Sequence, residues 1–490
     1  MNRKSERLLL FAIFIFCFSL RIAFINQKNL WFDEVFSWHL TLDSFYEIIV
    51  RTSYDIHPPL YYFILKLWSF VLGDSVISLR LISAVFTSSA IFFIYPLCKK
   101  ILSPTNSFIV LILYSISPLG LYYSQEARMA AMNLFLNIGS VVFLVKLIDE
   151  QIDFQRLFRN KYFYLYLLFT TLALYTHYFS FFILITELLY LMYIFHLNLI
   201  KYKPYFVIYL LVFVLYLFWF PTLYEHLGRG QKWRVSQSAP QVLGEYVNFL
   251  KDLNLGLYYH YIDLDIVKYI TIILLLIFIL SFIGLFIKNN INADKTLVFI
   301  LLLSFVPLVL AGVISLKQKV EFYRYLSIII PYLLLFIVYG ISKWNNKILT
   351  VGVLGCFALV NIYGLGIHYS FKFKNDDYRT LINQINTDFR QGDRIYAEPH
   401  YYGWIIDYYK KQNNLKIPNT VPIRYGWDEV LDSINTQKPE RFWVVIDYSS
   451  VDTTNYKDYI TNLSQKHKKE FNMTYYLAPT KVELYRFSQK

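Results

Sequence analysis

Eleven apolar runs set the limits on what this chain can fold into. A helix needs roughly 20 mostly apolar residues to cross a bilayer, or about 17 at the short end. Runs of that kind occupy 8–25, 79–98, 106–123, 129–148, 161–177, 178–196, 205–221, 266–287, 297–315, 322–341 and 348–368. The 490 residues are 56% hydrophobic and 20% aromatic, too apolar for a soluble chain of this length. The net charge of +13 does not indicate nucleic acid as a partner, because Lys and Arg gather at the ends of the apolar runs. Cations placed there suit a membrane surface or an anionic substrate. The expected class is an all-α polytopic membrane protein.

Residues 58–73 are apolar but about 16 long and carry Lys66. They read as a helix lying along the membrane surface, with Pro58 and Pro59 at its start, where proline is tolerated. Charge supports that choice. With 58–73 flat, Arg3/Lys4/Arg7, Lys99/Lys100, Arg156/Arg159/Lys161, Lys201/Lys203, Lys288/Lys295 and Lys343/Lys347 all fall on the cytoplasmic side. The N-terminus is then cytoplasmic, in an inner (plasma) membrane. The segment 26–78, the 123–128 turn, the loop 222–265 and the C-terminal region share the outer face. Within 222–265, residues 240–253 have helical periodicity. Arg21 and the bulky residues after it make a poor cleavage site, so the first span is expected to be retained. The three cysteines (Cys17, Cys98, Cys356) fall in expected spans and imply no disulfide framework.

From about 369 the composition changes. The stretch from Asp376 to Ile385 reads as a capped helix, and Tyr456–Lys469 as another. Asp393–Ala397, Arg441–Asp447 and Val482–Phe487 read as strands. A transmembrane domain over 1–368 followed by a soluble α/β domain over 369–490 is the expected organisation.

The chemistry-bearing residues are few. Asp33 and Glu34 follow Trp31 and Phe32 just past the first apolar run. Carboxylates at such a boundary are partly desolvated, which suits one of them to take a proton from a hydroxyl; a helix-capping pair would look the same. Glu126 and Arg128 occupy a short turn after Tyr122 and Tyr123, where Arg128 is suited to hold a phosphate through paired hydrogen bonds. His57 is fixed by Pro58 and Pro59. Lys317, Lys319 and Arg324 lie between two spans on the outer side, where the positive-inside pattern gives no reason for three cations but an anionic partner does. Arg229, Lys232 and Arg234 are further candidates, and His177 sits in a very short outer turn. No Gly-rich nucleotide loop, metal-ligand spacing or Ser/His/Asp elbow is present.

Together, Asp33-Glu34, His57-Pro-Pro-Leu-Tyr-Tyr62, Tyr123-Ser-Gln-Glu-Ala-Arg-Met129 and Arg324-Tyr-Leu near Pro331 resemble the GT-C polyprenyl-phosphate-dependent glycosyltransferases. Within them the likeness is to the bacterial family 39 branch, similar to protein O-mannosyltransferases and the lipid A aminoarabinose transferase. It covers residues 1 to about 340. The resemblance implies a catalytic first outer loop with two juxtamembrane helices, at 43–51 and 58–73. It implies that Asp33, or alternatively Glu34, is the base of an inverting transfer, with Glu126 as the second acidic residue. Arg128, Arg324 and Lys317 or Lys319 would hold the leaving phosphate, and His57, Pro58, Pro59, Tyr123 and His177 would position the site. The implied partners are a sugar on a polyprenyl phosphate, a glycan, lipid or protein acceptor, and the bilayer. No cofactor is implied; Glu-Ala-Arg stands in place of an Asp-containing signature, so a divalent metal is not indicated, and metal dependence stays open. The competing expectation is a transporter or flippase, which would carry ionisable residues mid-span; Glu187 is the clearest of these.

Overall fold

The computed structural model describes residues 2–196, 198–229, 234–287, 295–370, 378–399, 401–422, 427–447, 453–477 and 480–490. Lys232, Lys288 and the Asp376–Asp377 start of the expected helix lie outside the described residues. In chain order the helices are α1 (Arg3–Ile22), α2 (Phe32–Leu42), α3 (Phe45–Tyr54), α4 (Leu60–Leu72), α5 (Val76–Ser89), α6 (Ile91–Cys98), α7 (Pro104–Ser115) and α8 (Pro118–Ser124). Then come α9 (Ala130–Asp149), α10 (Lys161–Thr176), α11 (Ser180–Phe195), α12 (Leu199–Tyr216), α13 (Phe220–Arg229), α14 (Ala239–Leu255), α15 (Leu264–Phe286) and α16 (Lys295–Ser315). The last are α17 (Phe322–Tyr325), α18 (Ile330–Ser342), α19 (Lys347–His368), α20 (Tyr378–Asp388), α21 (Tyr401–Gln412), α22 (Trp427–Gln437) and α23 (Thr453–Lys466). Strands are β1 (Arg394–Glu398), β2 (Arg441–Asp447), β3 (His467–Leu477) and β4 (Thr480–Gln489).

The chain forms two compact units. One comprises Met1–Ala23, Ser44–Ile64 and Arg80–Ser370; the other comprises Phe24–Asp43, Leu65–Leu79 and Phe371–Lys490. The second therefore gathers the C-terminal residues with two pieces of the first loop, a partition that composition alone does not suggest.

Six helical stretches among the described residues are long and apolar enough to cross a membrane: Val76–Cys98, α9, α15, α16, Phe322–Ser342 and α19. Two bent pairs raise this to eight, α7–α8 at 57° and α12–α13 at 76°. The runs 106–123 and 205–221, expected as single spans, are thus broken helices. Proline is the reason in both. Pro118 has no N–H to offer the Tyr114 carbonyl, and Pro221 has none for that of Leu217. Ser117 turns extended at the first break, and its hydroxyl accepts the Gly120 N–H at 3.4 Å. The fully buried Arg21 of α1 fills the gap. Its guanidinium donates to the Tyr114 and Ser115 carbonyls at 3.4 and 3.3 Å and to the Thr87 hydroxyl at 3.1 Å.

Helix α18 is the centre of the first unit and is buried on all sides from Ile330 to Ile341. It crosses α15 where a Cβ on Gly340 would lie 2.0 Å from the Ser281 carbonyl oxygen, and one on Gly284 as close to that of Gly340. Small residues allow such backbone approach between apolar helices. Outward faces carry exposed apolar side chains, including Phe206, Phe213 and Phe282, as expected of helices solvated by lipid.

In the second unit a four-stranded sheet has the order β1-β2-β4-β3. β1 pairs parallel with β2, and the other pairs are antiparallel. A buried Asp393 accepts two hydrogen bonds from Arg441 and one from Trp443 at its edge. The helix expected at 456–469 ends at Lys466, and β3 follows directly. Its opening His-Lys-Lys-Glu hides a strand signal that becomes apolar only near its end. Helix α2 rests on α21 of this unit. Trp404 packs against Phe32, Phe36 and His39, and Trp38 meets Tyr408 edge-on at 4.9 Å. Asp74, reached through the left-handed Gly73 (φ 75°), fastens the arrangement. Its carboxylate accepts from the Trp38 indole at 2.7 Å, from Lys411 at 2.6 Å and from Gln412 at 3.1 Å. Lys66 reaches back to the Thr41 carbonyl at the end of α2.

Candidate active site

The turn between α8 and α9 is held from three directions. The Gln125 amide donates to the Arg21 and Ala23 carbonyls at the end of α1. Its oxygen accepts from His368 at the end of α19 (2.9 Å), and Ser83 of α5 donates to the Glu126 carbonyl (2.6 Å). Glu126 and Arg128 are consequently buried instead of forming an exposed ion pair. Tyr122 bonds the Glu126 carboxylate, and Arg128 reaches the Tyr62 hydroxyl at 3.4 Å.

His57, Pro58 and Pro59 are buried before α4, and the Pro59 carbonyl accepts the N–H groups of Tyr62 and Phe63 that open the helix. The His57 Nδ1 lies 3.0 Å from the Asp55 carboxylate. Burial pushes the Asp55 carboxyl up, but the His57 hydrogen bond and the charges of His57 and Arg128 outweigh it and hold the group below its ordinary value. The His57 ring is centred 5.6 Å from that of His177.

His177 is buried in the turn between α10 and α11. Burial, and after it the fields of His57, Arg128 and Arg324, hold its imidazole well below its ordinary value. Its Nδ1 accepts the Phe179 N–H at 3.1 Å, so the neutral ring carries its proton on Nε2 and presents a donor. The structure therefore brings together three residues expected at the site (His57, Arg128 and His177), with Arg324 near enough for its charge to act on His177.

Arg324 pairs with Glu321 at 3.4 Å. Glu321 also takes Arg234 at 3.2 Å, and Arg234 donates to the Tyr325 hydroxyl at 2.9 Å. With a side chain only 6% exposed, Arg234 is the buried cation of this segment. Lys317 and Lys319 instead lie on the surface, Lys319 paired with Glu245 at 3.6 Å. They are not part of the buried group, because their flexible stems carry a strongly hydrated ammonium outward. Arg229 is likewise exposed and pairs with Glu225 one turn away.

Sequence reasoning missed two carboxyls, Asp55 beside His57 and one more on α14. Asp252 on α14 is buried, and burial, opposed by Lys251 and reinforced by Glu245, pushes its carboxyl up to about 8. Its charge acts on Tyr123, Tyr259 and Tyr323. The Tyr123 hydroxyl is buried and has no hydrogen-bond partner among the described residues. Only the apolar spacing of α14 was visible in the sequence.

Asp33 and Glu34 belong to the second unit, in the first turn of α2. Glu34 is fully buried, and its carboxylate accepts the Trp31 N–H at 3.3 Å, closing the N-terminus of its own helix. Asp33 is half-buried. Among the described residues, no group of three or more His, Cys, Asp or Glu is placed to hold a metal ion.

Residues 56–221 match the family described as Dolichyl-phosphate-mannose-protein mannosyltransferase. His57, Glu126, Arg128 and His177 fall inside the match, whereas Asp33 and Arg324 fall outside it. No curated protein matches the chain. Among solved structures, ArnT from Cupriavidus metallidurans in the apo state superposes with a TM-score of 0.61 at 10% identity, over 99% of this chain and 98% of that one. The same protein bound to undecaprenyl phosphate gives 0.58 at 9% identity, with the same coverage. The archaeal oligosaccharyltransferase AglB from Archaeoglobus fulgidus, in complex with an inhibitory peptide and a dolichol-phosphate, gives 0.53 at 11% identity over 99% and 74%. The chain therefore has the GT-C fold, and across residues 56–221 it carries the sequence pattern of the protein mannosyltransferase family.

Proposed function

We propose that this protein is an integral membrane glycosyltransferase that moves a sugar from a polyprenyl phosphate to a hydroxyl acceptor at the outer face of the membrane. The observation that carries the reading is the group of buried His57, Arg128 and His177 with the half-buried Arg324 beside it, an arrangement suited to receive an anion. ArnT and AglB, which share the fold, have structures with undecaprenyl phosphate and dolichol-phosphate bound. In the proposed reaction Asp33 takes the proton from the acceptor hydroxyl. That oxygen attacks the anomeric carbon from the face opposite the phosphate, and the bond from carbon to phosphate oxygen breaks with inversion. The lipid phosphate leaves with the electron pair, its charge held by Arg128 and Arg324 and by the Nε2–H of His177. Asp33 is preferred over Glu34 because Glu34 is committed to capping α2. Eleven membrane crossings, counting α1, α10 and α11 and leaving α4 at the surface, complete the proposal.

The transporter reading has less support. Glu187 is bonded to Tyr166 at 2.6 Å and Ser140 at 3.4 Å, an arrangement that fastens α9, α10 and α11 together.

The test is transfer of radiolabelled sugar from a panel of synthetic polyprenyl-phosphate sugars, with a membrane extract supplying acceptors. One donor should be used, and Asp33→Asn should reduce transfer by about 10²–10⁴-fold, the usual contribution of a general base, while lipid-phosphate binding persists. Full activity of Asp33→Asn would remove the base assignment, and no lipid-phosphate binding by the wild type would remove the reading itself.

A further inference from the structure

A cavity of about 560 Å³ opens between α11 and α12, lined by Leu188 and Leu191 on one helix and by Tyr202, Lys203, Phe206 and Tyr209 on the other. Its size lies in the range of about 300–1,000 Å³ typical of small-molecule pockets. Leu188 and Leu191 follow His177 by 11 and 14 residues. At about 1.5 Å per helical residue, the cavity is some 16–21 Å along α11 from the cation cluster. A donor phosphate held by Arg128 and Arg324 cannot also occupy it.

Three observations define an occupant. The walls are mostly apolar, and the surrounding face is lipid-like, with Phe206 66% exposed and Leu210, Phe213 and Met192 also outward. The Tyr202 hydroxyl is buried without a hydrogen-bond partner among the described residues, a cost of about 1–3 kcal/mol that a ligand oxygen would remove. Third, the rim is basic. The Lys203 ammonium sits 4.6 Å over the Phe154 ring, which brings the segment carrying Arg159 and Lys161 near Lys203 and Lys201. The acidic groups there are already engaged: Asp149 with Lys100, Glu150 with Asn160 and Asp153 with Arg156.

We propose that this cavity is a specific site for one anionic phospholipid of the bilayer. An acyl chain lies between α11 and α12, an ester oxygen meets Tyr202, and the phosphate meets Lys203 and the neighbouring cations. The site is separate from the transfer chemistry and stands or falls without it.

Native mass spectrometry of the full-length protein in mild detergent tests this, with phosphatidylglycerol, phosphatidylcholine and a polyprenyl phosphate offered in equal amounts. The expected result is one retained phosphatidylglycerol per chain. Lys203→Gln should lower its preference over phosphatidylcholine about fivefold, the effect of one basic residue near a lipid phosphate. Leu191→Trp, which fills the cavity, should abolish retention; should that variant fail to fold, Tyr202→Phe decides, with weakened retention expected. Equal retention of both phospholipids, displacement by the polyprenyl phosphate, or retention unchanged in Tyr202→Phe would overturn the proposal.

Discussion

At the scale of single residues, two buried titratable groups near the site couple stability to pH in opposite senses. His177 ionises near 6.5 when unfolded, but its folded value lies well below that. Below 6.5 the unfolded chain binds a proton that the folded one refuses, so this group removes stability as the pH falls. Asp252 behaves in the opposite sense. Its carboxyl moves from 3.8 unfolded to about 8 folded, so its contribution is fully present below 3.8 and is lost as the pH rises through about 8. Thermal melts of detergent-solubilised protein between about pH 5 and pH 8.5 should separate the two. His177→Gln should flatten the acid side of the stability profile, and Asp252→Asn the alkaline side. A profile unchanged in both variants would contradict the burial described here. The motif residues His57, Glu126 and Arg128 were legible because unusual residue types stand next to prolines or in short turns. Asp252 was not, because what sets it apart is burial by distant helices, and that has no local signal; Arg234 was a candidate, but only its burial separates it from the exposed Arg229.

At the scale of elements, hydrophobic runs located the helices, but run length did not show where they break. Pro118 and Pro221 were visible in the sequence, yet a proline inside an apolar run is compatible with a kinked span as well as with a 57° or 76° break. The outcome at Pro118 depends on Arg21, 97 positions earlier, which satisfies the carbonyls that the proline leaves open. Helix α2 shows the same dependence on remote partners. It carries Asp33, and its grip on α21 passes through Asp74. The hydrogen bonds from Trp38, Lys411 and Gln412 outweigh the cost of burying that carboxylate and hold it below its ordinary value. Asp74→Ala removes all three, a loss on the order of 1–3 kcal/mol given that Lys411 is largely exposed. Hydrogen exchange should then rise together in 32–42 and 401–412, with kcat falling more than donor binding weakens. Loosening confined to 401–412 would show that α2 is held by other contacts.

At the scale of the whole molecule, the count of crossings fixes which end of every loop faces which compartment. Among the described residues, length and apolarity suit six to eight helices to cross, and α1, α10 and α11 fall outside that test because they are charged or short. Charge parity makes the difference. With α4 lying flat and eleven crossings, Lys161 faces the cytoplasm and the second unit faces out; one crossing more or fewer after Lys161 would put both on the same side, and one more or fewer before it would exchange them. Single cysteines at Lys161 and Lys416, both exposed, distinguish these arrangements. The native cysteines give little background, since Cys17 and Cys98 are buried and Cys356 is half-buried. In intact cells, an impermeant maleimide should label Lys416→Cys directly and Lys161→Cys only after permeabilisation. Labelling of both only after permeabilisation would mean that a crossing after Lys161, such as the broken pair α12–α13, changes the parity; direct labelling of Lys161→Cys alone would mean that α4 or the α7–α8 pair does. The catalytic proposal would then have to be rebuilt, because a base on α2 and a phosphate site at the α8–α9 turn serve one reaction only if both open to the same compartment.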